Sequence, residues 1–554
     1  MSSTLLAIFA VVPILTAAIL LVGFRMPAKR AMPISFLATA MVAYLVWDIS
    51  AINIMASSIQ GLFITFDILY IVFGAIVLLN LLKYSTALRT IREGFSNLTQ
   101  DRRIQVVIIV WLFGSFVEGA AGFGTPAAIV APLLVGLGYP AFCAVMLGMM
   151  VQSTAVSFGA VGTPVLVGVG GGLESPEFTA ELAHRGIGLT DYIQLVTSDV
   201  VILHGITGIL MPTLMVCMMT RFFGKNKSWK EGLQVLPFTI FGGLAFTIPY
   251  MLTGIYLGPE FPSILGALVA ILLVVIAIKK RFLMPKNIWT FEEESKWPSH
   301  WFGTLTVKLN DNGQRKNMSM IKAWSPYFFM VFLLVLSRLP QLPLKSWLNG
   351  INIYWDGILG TSISASSSPL YLPGTILLLT GVLVMLLHRM RVKDIKTAFT
   401  SSAKMMIGAG VVLVFTVPMV RIYINSGVNP GELPAMPIAM ATVVAGNADG
   451  IYPMFAPSIG ALGAFIAGSN TVSNLMLSLF QFGVATKLGL SSVLIVALQA
   501  VGAAAGNMVA IHNIVAASAT VGFLGKEGLV LRRTVLPTIY YLVVVGILGL
   551  LFMT

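Results

Sequence analysis

The sequence predicts an all-α polytopic membrane protein built from two inverted-topology repeats with broken helices or re-entrant hairpins. The membrane class follows from composition, because 57% of the 554 residues are hydrophobic and only 10% are charged. A soluble chain carries about 25% charged residues, so a cytosolic enzyme, a nucleic-acid-binding protein and a disordered chain are excluded. The repeats and the breaks follow from Gly-rich motifs that recur in both halves.

Apolar stretches, most of them long enough for a helix to cross a bilayer, follow one another along the whole chain. The predicted spans are 4–24, 31–47, 63–82, 104–117, 139–158, 192–220, 233–254, 264–278, 323–339, 370–388, 405–424, 451–467, 491–510 and 535–553. The Gly-rich segments 118–138 and 468–490 interrupt this series, and each is predicted to form a hairpin motif. Cys143 and Cys217 lie inside apolar stretches, which predicts small buried side chains rather than a disulfide or a metal site.

The basic residues predict which way the chain is oriented. The net charge is +13, and most of the 34 Lys and Arg residues stand in clusters between apolar stretches. Such clusters lie in the cytoplasm of multi-pass proteins, which places both termini outside the cell membrane. The longest polar segment, 284–322, is predicted to be a cytoplasmic linker between transmembrane halves 1–283 and 323–554.

The two halves share a sequence pattern. The first half has Glu118-Gly-Ala-Ala-Gly-Phe-Gly-Thr-Pro126, and the second has Gly468-Ser-Asn-Thr-Val-Ser-Asn474. The positions that follow these motifs at equal spacing are Gln152 and Gly159 in the first half, and Gln499 and Gly506 in the second. Basic residues precede the first motif but follow the second, so the two copies enter the membrane from opposite sides. This inversion is typical of secondary transporters.

Gly, Pro and small polar residues in these motifs predict helix breaks inside the membrane, beside protein or a watery cavity. The resulting half-helix N-termini suit a carboxylate, whereas freed carbonyls and hydroxyl or amide side chains suit a cation or a hydroxyl group. Close helix packing through small residues is the alternative. The candidate substrate-binding residues are Gly122, Gly124, Thr125, Ser469, Asn470, Thr471 and Asn474, joined by Thr163, Asn507, His512 and Asn513 from the next span of each repeat.

Ionisable residues within apolar stretches are further candidates, because burying them in lipid is costly. Glu118, beside the first motif, is the best candidate for carrying a proton, and a hydrogen bond to the broken backbone is its alternative role. Asp67 and Asp199 are also candidates for proton coupling; either could instead pair with a cation or lie at an interface. Arg421 could attract an anionic substrate or extend outward to the membrane surface. We expect no metal site.

Several motifs resemble the L-lactate permease family, over nearly the whole chain and most densely in the repeats. They are residues 116–126, 134–138, 158–162, 468–474 and 521–527. The resemblance implies import of lactate, glycolate or another short 2-hydroxy monocarboxylate with protons. It also implies the inverted-repeat fold of the ion-transporter superfamily, in which paired hairpins move against a scaffold, often within a homodimer.

The resemblance has limits at the tips of the two motifs. Residues 469–471 are similar to the Ser-Asn-Thr tips that bind carboxylate and sodium in related dicarboxylate transporters, whereas residues 124–126 depart from such a tip. Some family members carry Asp where Asn470 stands here, and a Ser-Pro-Gln run where residues 511–513 stand. The chain is therefore identified as a divergent member.

The leading functional prediction is a proton-coupled symporter of L-lactate or a related small 2-hydroxy monocarboxylate, such as glycolate, in the plasma membrane. Its predicted partners are the carboxylate, the lipid bilayer and a second copy of the chain, and not nucleic acid. Sodium-coupled transport of a carboxylate or another oxyanion is the first alternative. A membrane-embedded enzyme is less favoured, because the sequence has no cofactor motif and no catalytic set, and a channel is less favoured because it has no repeated filter. We expect no cofactor beyond a proton or sodium as the coupling ion.

Overall fold

The computed structural model describes residues 2–24, 26–96, 98–304, 318–338, 342–448 and 450–553. These residues are helical almost throughout, and eleven helices among them are long and apolar enough to cross a membrane. The prediction of an all-α multi-pass membrane fold is therefore confirmed. The inverted relation between the two repeats stays a prediction, as do the boundaries of the two halves.

The helices follow one another in this order. In the first half they are α1 (Ser3–Ala18), α2 (Ala28–Leu45), α3 (Ala51–Tyr84), α4 (Ala87–Ser96), α5 (Arg102–Gln105), α6 (Gly114–Ala121), α7 (Thr125–Gly136), α8 (Ala141–Met150), α9 (Gly159–Thr163), α10 (Gly170–Leu173), α11 (Pro176–Arg185), α12 (Leu189–Gly208), α13 (Met211–Phe223), α14 (Trp229–Leu233), α15 (Leu236–Tyr256) and α16 (Pro262–Lys279). Turns of π-helix at Ile19–Gly23, Val106–Phe113 and Pro164–Val169 extend or join them, and Val156–Phe158 is a 3-10 turn.

The second half contains α17 (Met320–Arg338), α18 (Leu344–Asn349), α19 (Pro373–Leu387), α20 (Val392–Ile424), α21 (Met436–Ala445), α22 (Tyr452–Ala467), α23 (Asn470–Leu488), α24 (Ser492–Asn507), α25 (Ile511–Thr520) and α26 (Glu527–Leu551). Four 3-10 turns, at Glu294–Lys296, Ser299–Trp301, Ile358–Gly360 and Asn425–Gly427, lie in the connecting segments. Strands β1 (Ile353–Trp355) and β2 (Ala365–Ser367) pair antiparallel, with Ile353 opposite Ser367.

Two groups of packed helices are visible. The long helix α3 packs against α19 and α20, and α2 flanks α20. The other group surrounds the Gly-rich motifs: α22, α23 and α24 pack on one another, α12 packs on α24, and α7 packs on α8 and α25. The π-helical turn Val106–Phe113 is apolar and buried on every side, as expected for a helix at the centre of a bundle.

Three predicted segments differ in detail from the structure. The span predicted at 139–158 is interrupted, because α8 ends at Met150 and turns follow. The span predicted at 192–220 is two helices, since Pro212 in the first turn of α13 cannot donate a hydrogen bond to the preceding turn. In the segment 468–490 the break is confined to two residues, after which α23 runs without interruption.

Hydroxyl groups from distant helices explain the interruption after α8. Carbonyl groups freed from a helix need partners inside a membrane protein, and side chains supply them here. The donor–acceptor pairs are Tyr250 Oη to Thr154 O and Ser263 Oγ to Ala155 O, both at 2.7 Å. The unwound segment is therefore stabilised by α15 and α16 rather than by its own sequence.

Residues 284–304 of the predicted linker pack against the membrane helices. Their aromatic side chains contact one another and rings of the first half, including Phe291 on Tyr139 and Trp301 on Phe223. Their end reaches the second half, where Thr304 Oγ1 donates to Gly522 O at 3.0 Å. Residues 305–317 of the predicted linker lie outside the described residues.

Candidate functional site

The chain breaks at both Gly-rich motifs, and glycine makes each break possible. Helix α6 ends at Gly122, whose φ is +59°, and Gly124 precedes α7 with a φ of +75°. Helix α22 ends at Gly468, whose φ is +70°. Ser469 then caps α23 by accepting a hydrogen bond from the backbone N–H of Val472. Left-handed backbone is strained for residues with a Cβ, so these positions fix where the helices stop.

The two breaks meet at a cavity of about 160 Å³. This is roughly the volume of five water molecules, enough for a small polar ligand. The cavity is lined by Glu118, Phe123, Gly124, Val156, Gly159, Pro164, Gly468, Ser469, Asn470, Thr471, Asn507 and Asn513. The structure thus brings together candidates from both repeats that lie more than three hundred residues apart.

The cavity favours an anion through its backbone. Gly124 stands at the N-terminus of α7, and Ser469, Asn470 and Thr471 form the N-terminus of α23. First-turn N–H groups lack partners within their own helix, and a helix N-terminus carries a partial positive charge worth about 0.3–1 kcal/mol to a nearby anion. Among the described residues, no Lys, Arg or His lines the cavity, so these N-termini are its source of positive potential.

Three buried polar atoms at or beside the cavity lack hydrogen-bond partners within the described chain: Glu118 Oε2, Asn470 Nδ2 and Asn474 Oδ1. The remaining amide atoms are engaged, since Asn474 Nδ2 donates to Asn470 Oδ1 and to Pro164 O, both at 3.1 Å. A buried polar group without a partner costs about 1–3 kcal/mol. The unpaired atoms are one donor, Asn470 Nδ2, and two oxygens. Together they can form hydrogen bonds with a small polar ligand that carries both acceptors and a donor.

Glu118 is the sole ionisable residue among the described residues that line the cavity. Its side chain is 1% exposed. It packs so closely on Gly159 that a Cβ at that position would overlap its Oε1. Gly159 is therefore required for Glu118 to reach the cavity.

An amide cluster forms one wall. Asn507 Nδ2 and Asn513 Nδ2 donate to Gln152 Oε1 at 2.9 and 3.1 Å, and Asn513 Nδ2 also donates to Asn507 Oδ1 at 3.1 Å. Gln152 is fully buried and is a site residue that sequence reasoning missed, although the equal Gln-to-Gly spacing of the two repeats was a signal for it. The cluster links the first repeat to the second.

Four further candidates lie at the edge of the site. Gly122 packs on Ala160, which leaves no room for a Cβ. Thr163 is buried and bonded to the unwound backbone, and Thr125 begins α7 half-buried. The His512 ring is exposed and lies against Gly468. These positions support the cavity rather than line it.

Arg421 lies away from the cavity and is 1% exposed. Its guanidinium donates to Gly171 O at 2.9 Å and to Glu174 O at 3.2 Å, and it also contacts Gln60 and Asn425. These carbonyls lie at and just beyond the C-terminal end of α10. In the structure Arg421 therefore neither lines the cavity nor extends to the surface.

The other two candidate carboxylates also stand apart from the cavity. Asp67, on α3, accepts a hydrogen bond of 2.5 Å from Ser367 on β2. Asp199, on α12, is half-buried and is not among the lining residues. Of the three carboxylates predicted for proton coupling, the structure brings only Glu118 to the cavity.

A buried hydrogen-bond chain behind the unwound segment was also missed. His204 contacts Ser157 Oγ through Nε2 at 2.8 Å and Tyr541 Oη through Nδ1 at 2.6 Å. Tyr541 Oη in turn lies 2.8 Å from Thr154 Oγ1. These hydrogen bonds hold the backbone on both sides of Val156, which lines the cavity.

Comparison with known proteins identifies relatives over nearly the whole chain. The L-lactate permease family model matches residues 6–554. A relative from Haemophilus influenzae is 28% identical over 100% of this chain and 99% of its own length. The L-lactate permease of Escherichia coli is 26% identical over 92% of this chain and 88% of its own, and the glycolate permease GlcA of Escherichia coli is 26% identical over 98% and 95%. Among solved structures, the Alcanivorax borkumensis YdaH transporter is similar over 87% of this chain and 84% of its own, with a TM-score of 0.40 and 12% identity.

Proposed function

Because the chain belongs to the L-lactate permease family, a family of transporters rather than enzymes, we propose that it is a proton-coupled symporter of L-lactate or a related small 2-hydroxy monocarboxylate, such as glycolate. Relatives named for L-lactate and for glycolate support this substrate class. The observation that carries the proposal is the cavity, where two helix N-termini meet Glu118, whose Oε2 has no partner among the described residues.

The substrate carboxylate binds between the N-termini of α7 and α23. Asn470 Nδ2 donates to its oxygens, together with first-turn N–H groups other than those already bonded, which are Thr125 N–H to Gly122 O and Val472 N–H to Ser469 Oγ. Hydrogen bonds to a charged group are worth about 1.5–3 kcal/mol each, so a few donors suffice to hold one carboxylate. A second carboxylate has no cationic partner among the described lining residues, which favours monocarboxylates.

Glu118 carries the proton. Two negative charges about 4 Å apart repel each other by about 4 kcal/mol at an effective dielectric constant of 20, so a charged Glu118 disfavours the substrate anion. A protonated Glu118 removes this repulsion and also donates a hydrogen bond from its otherwise unpaired Oε2. One proton then enters with each monocarboxylate, so loading adds no net charge to the site: the single negative charge passes from the Glu118 carboxylate to the bound anion.

Sodium coupling is the second candidate, and one observation favours it. Asn474 Oδ1 is a buried oxygen without a partner among the described residues, and oxygen atoms at broken helices coordinate Na⁺ in other transporters. The resemblance of residues 469–471 to sodium-binding tips points the same way. Dependence of uptake on sodium at constant pH separates this candidate from proton coupling.

We also propose the plasma membrane as the location, with both termini outside, and a homodimer as the assembly. The clustering of basic residues in alternate loops supports the orientation. Protease accessibility of a tag fused after residue 554, in intact cells, tests the orientation. Native mass spectrometry of the purified protein tests the assembly.

The decisive experiment uses proteoliposomes and a pH step. We expect labelled L-lactate to accumulate when the outside is more acidic than the inside, without added sodium. Glu118→Gln should abolish this accumulation, because a neutral amide can neither take up nor release the proton. It should retain exchange of internal for external lactate, which requires no net proton movement.

Asp199→Asn and Asp67→Asn are the matched controls, since each removes a candidate carboxylate that lies outside the cavity. Both should keep pH-driven accumulation. Accumulation by Glu118→Gln equal to that of the wild type would exclude Glu118 as the carrier, and uptake that follows sodium but ignores the pH step would refute proton coupling.

A further inference from the structure

The amide cluster has hydrogen-bonding capacity that its internal bonds do not use. Asn507 Nδ2 donates one of its two hydrogens, to Gln152 Oε1, and Asn507 Oδ1 accepts one bond, from Asn513 Nδ2. An amide oxygen has two lone pairs and an amide nitrogen two hydrogens. With respect to the described residues Asn507 therefore retains one donor and one acceptor position, and its side chain lines the cavity.

The partners of Asn507 fix its orientation. Gln152 is fully buried and belongs to the unwound segment after α8, and Asn513 is 8% exposed and belongs to the first turn of α25. Asn513 is held in turn against Gly124, where a Cβ would stand 2.8 Å from Asn513 Oδ1. The amide plane of Asn507 is thus set by hydrogen bonds to groups from two separate segments, and the contact with Gly124 supports one of them.

The free acceptor position of Asn507 Oδ1, beside the proposed carboxylate site, limits which chemical groups Asn507 can bind. A carboxylate only accepts hydrogen bonds, so the lone pair of Asn507 Oδ1 disfavours it. A methyl group offers neither a donor nor an acceptor. A hydroxyl group offers both, and it matches the free donor and acceptor of one amide.

We propose that Asn507, oriented by Gln152 and Asn513, binds the 2-hydroxyl group of the substrate and selects 2-hydroxy acids over acids without that group. The inference rests on the proposed function, since it assigns one end of the substrate to Asn507 and the carboxylate to the helix N-termini. Both lie on the same cavity of about 160 Å³, so one small acid reaches both. Gln152 and Asn513 are positioning residues in this arrangement.

The test compares L-lactate with propionate, which has the same carbon skeleton without the hydroxyl group. Binding to purified full-length protein is measured by calorimetry, and uptake by competition in proteoliposomes. The wild type should bind L-lactate about tenfold more tightly than propionate, because one additional buried hydrogen bond contributes about this factor to the affinity. Asn507→Leu should reduce this ratio of affinities to near one by weakening the binding of L-lactate, while the affinity for propionate stays within about twofold of the wild-type value.

Gln481→Leu is the matched control. Gln481 is another fully buried amide, bonded to Tyr452 and Gln499 outside the cavity, so its loss should lower stability without changing the ratio. Gln152→Leu should also reduce the ratio, as Asn507→Leu does, because Gln152 no longer holds the Asn507 amide in its orientation. The wild-type ratio is measured without any substitution, so the proposal stays falsifiable if a variant does not fold.

The outcomes separate this inference from the proposed function. Equal affinity of the wild type for L-lactate and propionate would overturn the inference while leaving carboxylate transport intact. An unchanged ratio of affinities in a folded Asn507→Leu protein would also overturn the inference. So would a change of that ratio in Gln481→Leu equal to the change in Asn507→Leu. Failure of the wild type to bind either acid would refute the proposed function, and this inference with it.

Discussion

Gly124→Ala tests whether the first helix break and the amide cluster are mechanically joined. Gly124 has a φ of +75°, and an added Cβ would stand 2.8 Å from Asn513 Oδ1. Left-handed backbone costs an alanine about 1–2 kcal/mol. The overlap also forces Asn513 away from two hydrogen bonds of 3.1 Å, each worth about 0.5–1.5 kcal/mol. We therefore expect a total destabilisation of about 2–5 kcal/mol.

Gly489→Ala is the control for this substitution. Gly489 ends α23 with a φ of +69°, and nothing lies within 4 Å of the Cβ position. It therefore carries the backbone strain, about 1–2 kcal/mol, without the overlap. The difference between the two variants isolates the contact with Asn513.

The assay is denaturant-induced unfolding in detergent, followed by measurement of L-lactate affinity. Gly124→Ala should be less stable than Gly489→Ala by about 1–3 kcal/mol and should bind L-lactate at least about tenfold more weakly. Gly489→Ala should keep the affinity of the wild type. Equal losses of stability in the two variants, or equal affinities, would refute the reasoning.

Two further substitutions test the supports of the site. Tyr250→Phe leaves Thr154 O buried without its 2.7 Å donor and should lower the unfolding free energy by about 1–3 kcal/mol, whereas Tyr256→Phe, at an exposed ring, should leave it unchanged. Arg421→Met should lower stability by several kcal/mol, because the carbonyl of Gly171 and its neighbours lose a buried cationic donor. Its L-lactate affinity, measured by calorimetry on folded protein, should stay within about twofold of the wild-type value. A larger loss would indicate that Arg421 takes part in substrate binding.

Much of the fold and part of the site follow from local chemistry. Apolar stretches of sufficient length predict spans, and glycine followed by a small polar residue predicts the stop at Gly468 and the start at Ser469. The same local signals indicated Asn470 and Asn507, which the structure brings to one cavity. Their roles in binding stay predictions.

The missed features depend on partners that are distant in the sequence. Residues 151–155 contain neither Gly nor Pro, and they unwind because Tyr250 and Ser263 supply donors about one hundred residues away. Arg421 is held by a carbonyl 250 residues earlier. No local pattern encodes such pairs, so a charge within an apolar span does not indicate where in the structure that residue lies.

The start of α25 has a consequence for how the cavity opens. His512 lies against Gly468 and its neighbour Asn513 against Gly124, so adjacent residues, with Cα atoms about 3.8 Å apart, contact one break each. A movement that widens the gap between the two breaks must therefore detach α25 from one of them.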